Sequence, residues 1–322
     1  MTDEPEAVTS GMSTGSLITA VAVASAVLLG ITGFVLSPLV FSGATPAVPS
    51  PSVSSTATPA SSATPSATAK PVSVQPAALP ALTKPLSIRF LFAHQSVGAS
   101  ITAVVPEVYK KAKLAQPKVG WWDEVMNTKT PVFAHVPIGT NGDPEGKLAD
   151  FVRYLDEAPA GGLDMALLKL GYADINASTD VDTLFEEYAT TMADLQAKHP
   201  DIVLLYSTVP LVVDRGSQLV AAAKVTGVSD PTWPAASDNI ARERFNTLVR
   251  AKYRASGKLY DVAALEARAA GGKLTAMQYE GQWYPVLNPE LAAPDRQHLN
   301  DTGALQLATE LVKLVSSVPQ AK

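Results

Sequence analysis

Ile88-Arg-Phe-Leu-Phe-Ala-His-Gln-Ser-Val-Gly98 is a short apolar run that breaks into a polar turn. A run of this kind, without polar alternation, reads as a strand (Ile88 to Ala93) covered on both faces, the condition of a parallel sheet. Ser96 then opens a predicted helix reaching about Lys113. The same alternation continues outward. Val132 to Ile138 reads as a second strand, followed by a helix opening at Pro144, since proline suits a first turn. Met165 to Leu170 and Ile202 to Thr208 read as strands, with a helix from Val181 to Lys198 between them. A helix from Ser237 to Ser256, a short strand Leu259 to Val262 and a last helix from about Asp301 complete the pattern, with Ala304, Leu307, Leu311 and Leu314 on one face. Strands alternating with helices predict an α/β fold, a three-layer α/β/α sandwich around a central parallel sheet. Ligands in such folds sit beyond the carboxyl ends of the strands. Polar clusters follow Ala93, Ile138, Leu170 and Thr208, at those ends.

Composition narrows the chemistry. The 322 residues include 25 Lys+Arg against 30 Asp+Glu, a net charge of −5, with no dense basic stripe, so no nucleic-acid partner is expected. There is no cysteine, which excludes a disulfide scaffold, a thiol nucleophile and thiolate metal sites. Imidazole chemistry must use His94, His135, His199 or His298, and no ligand spacing among them supports a metal site. No cofactor is expected.

Four segments are expected. A short acidic tail, 1–15, carries Asp3, Glu4 and Glu6. Ser16 to Phe41 holds no charge; as a helix it would reach roughly 38 Å, beyond the ~30 Å hydrocarbon core. Its length exceeds the usual signal-peptide core of about 7–15 residues and no basic residue precedes it, so a retained transmembrane anchor is expected, with secretion as the alternative if it is cleaved. Residues 42–86 hold nine of the 25 prolines and only Lys70 and Lys84 as charges. They read as a disordered linker, roughly 140 Å long if extended as polyproline. A stalk after an anchor suits a domain standing clear of a membrane, so residues 87–322 are expected outside a single-pass cell membrane.

The sharpest local signal is Pro294-Asp-Arg-Gln-His-Leu-Asn300, leading into the last helix. An Asp three residues before a His can hold one imidazole nitrogen and leave the other to take a proton from a nucleophile. Ser96 is the matching nucleophile, at a strand end where its N–H opens a helix. Together these residues resemble the SGNH (GDSL-like) hydrolase family, whose order is Ser, Asp, His with acid and base three apart. The family's Gly-Asp-Ser block corresponds to His94-Gln95-Ser96, and Leu299-Asn-Asp-Thr-Gly303 continues its motif after the His. The resemblance covers nearly all of 87–322 and implies a flavodoxin-like SGNH hydrolase fold, with Ser96, His298 and Asp295 as a serine-esterase triad.

It also implies oxyanion donors from a glycine after the second strand and from an Asn in Gly-x-Asn-Asp after the third. Gly142 fits the first place best, with Gly139 and Gly146 as alternatives. The second place reads Gly171-Tyr-Ala-Asp174, so Ala173 stands where the family has Asn. Asn141, Asn176 and His94 are candidate replacements, with a satisfied imidazole supporting the site as the favoured reading of His94, and Asp174 either orients that loop or acts in the site. His135 reads as structural and His199 as a helix-end residue. Trp121, Trp122, Trp233, Trp283 and Tyr284 are expected in loops, as core fillers or sugar-stacking platforms. The resemblance and the surface setting imply hydrolysis of O-acyl, above all O-acetyl, esters on a carbohydrate. An O-acyltransferase using the same triad and a non-catalytic carbohydrate-binding domain are the alternatives.

Overall fold

In the computed structural model the strand that opens the domain, β1 (Arg89–His94), is buried along five of its six residues. The described residues are 75–76, 78–125, 128–159, 161–214, 236–268 and 272–321. The apolar run 16–41, most of the 42–86 linker and Trp233 lie outside them. No helix among the described residues is long and apolar enough to cross a membrane.

Continuous apolar runs make the other inner strands: β3 (Val132–Pro137), β4 (Met165–Leu168) and β5 (Val203–Ser207). With β2 (Lys118–Trp121) and β6 (Leu259–Tyr260) they form one sheet, ordered β2-β3-β1-β4-β5-β6, in which every pair is parallel. Without the edge strand β2, this order is the flavodoxin-like 2-1-3-4-5, and the chain reverses its winding direction at β1 and β4.

Side chains alternate across the sheet, and each face has its own core. Phe90, Phe92, Phe133 and Leu167 meet α1 (Ser96–Ala103), α2 (Val105–Lys111) and the last helix, through Ile101, Tyr109, Leu307 and Leu311. Leu91, Ala93, Ala134 and Leu168 meet α4 (Pro144–Glu157), α5 (Val181–Lys198) and α6 (Ala236–Tyr253), through Phe151, Tyr188 and Phe245. The three-layer sandwich is therefore the observed architecture. A four-residue helix α3 (Trp122–Val125) follows β2, α7 (Val262–Glu266) follows β6, and α8 (Asp301–Ser317) ends the domain.

The structure corrects several boundaries. The helix expected from Ser96 to Lys113 is two helices, broken at Val104. Pro106 lacks an N–H, and its ring would meet the carbonyl of Thr102 in a continuous helix. Val262 belongs to α7 because Asp261 caps that helix, accepting from the Ala264 N–H at 3.2 Å. Trp121 ends a strand, Trp122 begins a helix, and Trp283 and Tyr284 lie in the hairpin β7 (Ala276–Tyr279)–β8 (Gln282–Pro285), where loops were expected. Glu280 and Gly281 both have positive φ, 48° and 82°, the two-residue turn that suits strand twist. The linker also ends earlier than its composition suggests. Leu86 is buried, and Leu79 and Leu82 pack against the α1–α8 core, because three leucines in an otherwise Pro/Ala-rich stretch supply an apolar edge.

One close approach fixes how the first helix sits. A Cβ at Gly98 would lie 2.3 Å from the His94 Cβ and 2.4 Å from its Cγ. Gly98→Ala, although it raises helix propensity, is expected to destabilise the domain by about 1–3 kcal/mol through overpacking. Urea unfolding measures this, and a variant as stable as the parent would contradict the tight seat of α1 on His94.

Candidate active site

The site lies where β1, β3 and β4 end. Gln95 is extended and does not cap α1 with its side chain. Its Nε2 instead donates to the Ile138 and Gly139 carbonyls at 2.6 and 2.9 Å, tying the start of α1 to the end of β3. Ser96 is thus the first residue of α1, exposed, in the turn whose N–H groups have no intrahelical partner.

The Asp295–Asn300 loop delivers the imidazole. Arg296 takes a left-handed conformation, φ 63°, its carbonyl accepts from the Val213 N–H at 3.0 Å, and the Ala293 N–H donates to the His298 carbonyl at 2.7 Å. Asn300 then caps α8, accepting from the Gly303 N–H at 2.9 Å, while its Nδ2 donates to the carbonyls of Glu290 and Ala292. Gly303 admits no side chain: a Cβ would lie 2.5 Å from the Leu291 carbonyl oxygen. Leu299-Asn-Asp-Thr-Gly303 is therefore a helix start clamped onto the chain before it.

His298 Nε2 lies 2.9 Å from Ser96 Oγ, and His298 Nδ1 lies 2.6 Å from Asp295 Oδ2. A carboxylate only accepts, so Nδ1 carries the proton and Nε2 is the acceptor facing the serine hydroxyl. Asp295 Oδ1 accepts from the Gln297 and His298 backbone N–H groups, each at 3.0 Å. Partial burial pushes the Asp295 carboxyl up, but these two N–H groups and the imidazole outweigh it and hold it below the usual aspartate value. The Tyr172 ring packs nearly perpendicular to the imidazole, with centroids 5.7 Å apart.

The candidate oxyanion donors are arranged differently from expectation. The Gly142 N–H donates to Asp174 Oδ1 at 3.0 Å, the Gly139 N–H to Asp150 at 2.8 Å and the Gly146 N–H to Asp143 at 2.8 Å. All three glycine N–H groups are committed to carboxylates, so none is left to meet a substrate. Asn176 turns its amide oxygen into its own turn, where Oδ1 accepts from the N–H and hydroxyl of Ser178. His94 does not face the site. It is 1% exposed, its Nδ1 donates to the Gln95 carbonyl at 3.0 Å, and its Nε2 meets His135 Nδ1 at 3.2 Å. Of the two readings of His94, a contact to substrate or a satisfied imidazole supporting the site, its burial and both hydrogen bonds fit the second, under α1.

Burial lowers the His94 pKa most; the Gln95 carbonyl opposes it, Lys169 and His135 add to it, and the group drops from 6.5 to about 3. Unfolding would let this imidazole take a proton anywhere between those values. Its contribution is full above about pH 6.5 and falls away as pH drops toward 3. The urea midpoint is expected to fall between pH 7 and pH 4, and less steeply in His94→Gln. Equal slopes in parent and variant would assign the acid sensitivity elsewhere.

Asp174 is 3% exposed and holds the loop after β4: it accepts from the Gly171 N–H at 2.6 Å as well as from Gly142, and its carboxylate takes Lys147 Nζ at 2.7 and 2.8 Å. Lys147 is fully buried and also donates to Asn141 Oδ1 at 3.1 Å. From the other side Arg242 Nε donates to the Tyr172 and Ile175 carbonyls at 2.8 and 3.1 Å. Sequence reasoning missed Gln95, Lys147, Tyr172 and Arg242. Lys147 had a visible signal, a cation beside the apolar stripe Leu148, Phe151, Leu155 of α4. His199 pairs with Asp156 at 2.9 Å at the end of α5, away from the site. Among the described residues no group of three or more His, Asp or Glu is placed to hold a metal ion.

No family model matches the chain, and no curated protein matches it. Solved structures do resemble it. A GDSL-like lipase from Bacteroides thetaiotaomicron is 12% identical at TM-score 0.41, covering 71% of this chain and 89% of that one. The lipase/acylhydrolase from Enterococcus faecalis is 13% identical at TM-score 0.40, covering 70% and 96%. A carbohydrate esterase family 3 structure from Talaromyces cellulolyticus is 14% identical at TM-score 0.38, covering 74% and 100%.

Proposed function

We propose that this chain is a carboxylic ester hydrolase of the SGNH type, working by a Ser96–His298–Asp295 triad. The observation that carries this reading is the unbroken line from Ser96 Oγ through the imidazole to Asp295, at 2.9 and 2.6 Å, on the open carboxyl edge of the sheet. Ser96 Oγ attacks the ester carbonyl while its proton passes to His298 Nε2, and Asp295 stabilises the imidazolium. The tetrahedral intermediate collapses as the alcohol leaves with that proton, giving an acyl-serine. Water then gives its proton to His298, adds to the acyl carbon and releases the acid, and Ser96 regains its proton. The N–H of Ser96 at the start of α1 is one donor to the developing oxyanion.

The substrate is an O-acetyl or short-acyl ester on a carbohydrate. An exposed Ser96 suits an acyl group presented on a large molecule. The setting is a membrane surface: residues 16–41 anchor the chain, the Pro-rich stalk that follows spaces it, and the catalytic domain faces outward. Incubation with a fluorophosphonate followed by peptide mapping tests the chemistry, with Ser96 as the labelled residue. Labelling elsewhere, or none together with no turnover of p-nitrophenyl acetate or acetylated xylan, removes the reading. Protease treatment of intact cells tests the setting; a protected C-terminal domain reverses the orientation.

A further inference from the structure

With the three glycine N–H groups engaged and Ala173 in the Asn position, the Ser96 N–H is the one backbone oxyanion donor identified among the described residues, where acyl transfer ordinarily uses two or more donors. The loop between β3 and α4 supplies a group for the gap. Gln95 ties Ile138 and Gly139 to the residue before the nucleophile, at 2.6 and 2.9 Å. Three residues after Gly139, Gly142 is held by Asp174, and a Cβ placed on it would lie 3.9 Å from the Ala173 carbonyl oxygen. Asn141 sits between these two ties, exposed, one residue before the glycine that approaches Ala173, which stands where the resembled family has its Asn.

The orientation of the Asn141 amide is fixed by chemistry. An ammonium only donates, so the atom 3.1 Å from Lys147 Nζ is the amide oxygen. Nδ2 therefore turns away from α4. The buried Lys147–Asp174 pair, at 2.7 Å with both side chains fully buried, makes this a rigid mount. A cation on the amide oxygen also draws electron density from Nδ2 and makes its N–H groups stronger donors.

We infer that Asn141 Nδ2 is the second oxyanion donor, relocated from the loop after β4 to the loop after β3, with Lys147 as its positioning residue. This rests on the triad reading above. During attack on the carbonyl the oxyanion accepts from the Ser96 N–H and from Asn141 Nδ2, and both contacts release when the carbonyl reforms.

Two substitutions in the full-length chain separate donation from scaffolding. Asn141→Ala removes both functions of the amide. Asn141→Asp keeps an oxygen for Lys147 and removes the donor. For p-nitrophenyl acetate, both variants are expected to lose about 10²–10³-fold in kcat, with KM and the pH profile unchanged and the melting temperature close to the parent's. If Asn141→Asp turns over at the parental rate, the amide serves only as an anchor and the inference fails. Ser96→Ala run alongside keeps the two readings apart. Turnover lost in Ser96→Ala but kept in both Asn141 variants leaves the triad standing and overturns the donor. Turnover kept in Ser96→Ala overturns the triad itself.

Discussion

Ser96→Ala is expected to reduce kcat for p-nitrophenyl acetate by about 10⁴-fold or more, the scale seen when a member of an integrated triad is removed. The size follows from the mechanism, because the variant has no atom to carry the acyl group and must rely on direct attack by water. Its fold should not change. Ser96 is exposed, its side chain meets only His298 among the hydrogen bonds at the site, and alanine is at least as favourable in a first helical turn's interior. His298→Ala should fall by a similar factor, and the double variant should be no worse than either single, since nucleophile and base act in one step. Asp295→Asn should also lose about 10⁴-fold, because the Gln297 and His298 N–H groups keep the amide oxygen and turn its NH2, a donor, toward Nδ1, which puts the ring in the wrong tautomer. Strictly additive losses in the double variant would mean that Ser96 and His298 work independently, and the 2.9 Å contact would then not be the catalytic one.

What could be read from residue order alone was whatever a short segment decides by itself. Asp295, His298, Asn300 and Gly303 lie within nine residues, and their roles as ring partner, imidazole, helix cap and close-approach glycine are met inside that stretch. The strands β1, β3, β4 and β5 announced themselves because both faces are largely buried, so that only His135 in β3 interrupts the apolar interior of these runs. The strand β2 and the β7–β8 hairpin did not, since a four-residue edge strand with a glycine and a half-exposed hairpin carry too little pattern. The misread donors have a common origin. Whether the Gly142 N–H is free depends on Asp174, which lies 32 residues away, and His94 is turned from the site by His135, 41 residues away. Contacts of that range depend on strand register and on which helix face meets the sheet, and a motif does not contain either. Ser96 and His298 are 202 residues apart, and their pairing was legible only because a family resemblance supplied the register.

Lys147→Met should be the most damaging single change to stability outside the apolar core. Both side chains of the Lys147–Asp174 pair are fully buried. Methionine fills most of the lysine stem's volume, so the loss is electrostatic rather than a cavity. It leaves the buried Asp174 carboxylate without its paired cation, with the Gly142 and Gly171 N–H groups as remaining donors and the charge of the buried Lys169 as the remaining electrostatic support. Removing one partner of a buried pair costs about 3–5 kcal/mol, which for a domain of this size is a drop of roughly 6–20 °C in melting temperature. The partner variant makes the argument specific. Adding Asp174→Asn to Lys147→Met removes the stranded charge, and the Asn side-chain oxygen can still accept from one of the two glycines. The double variant should therefore be more stable than Lys147→Met alone, an order that a simple count of lost contacts would reverse. Thermal unfolding of the two proteins decides it. If the double variant is the weaker, the Asp174 carboxylate is tolerated without its cation, and Lys147 is then retained for Asn141 rather than for the fold.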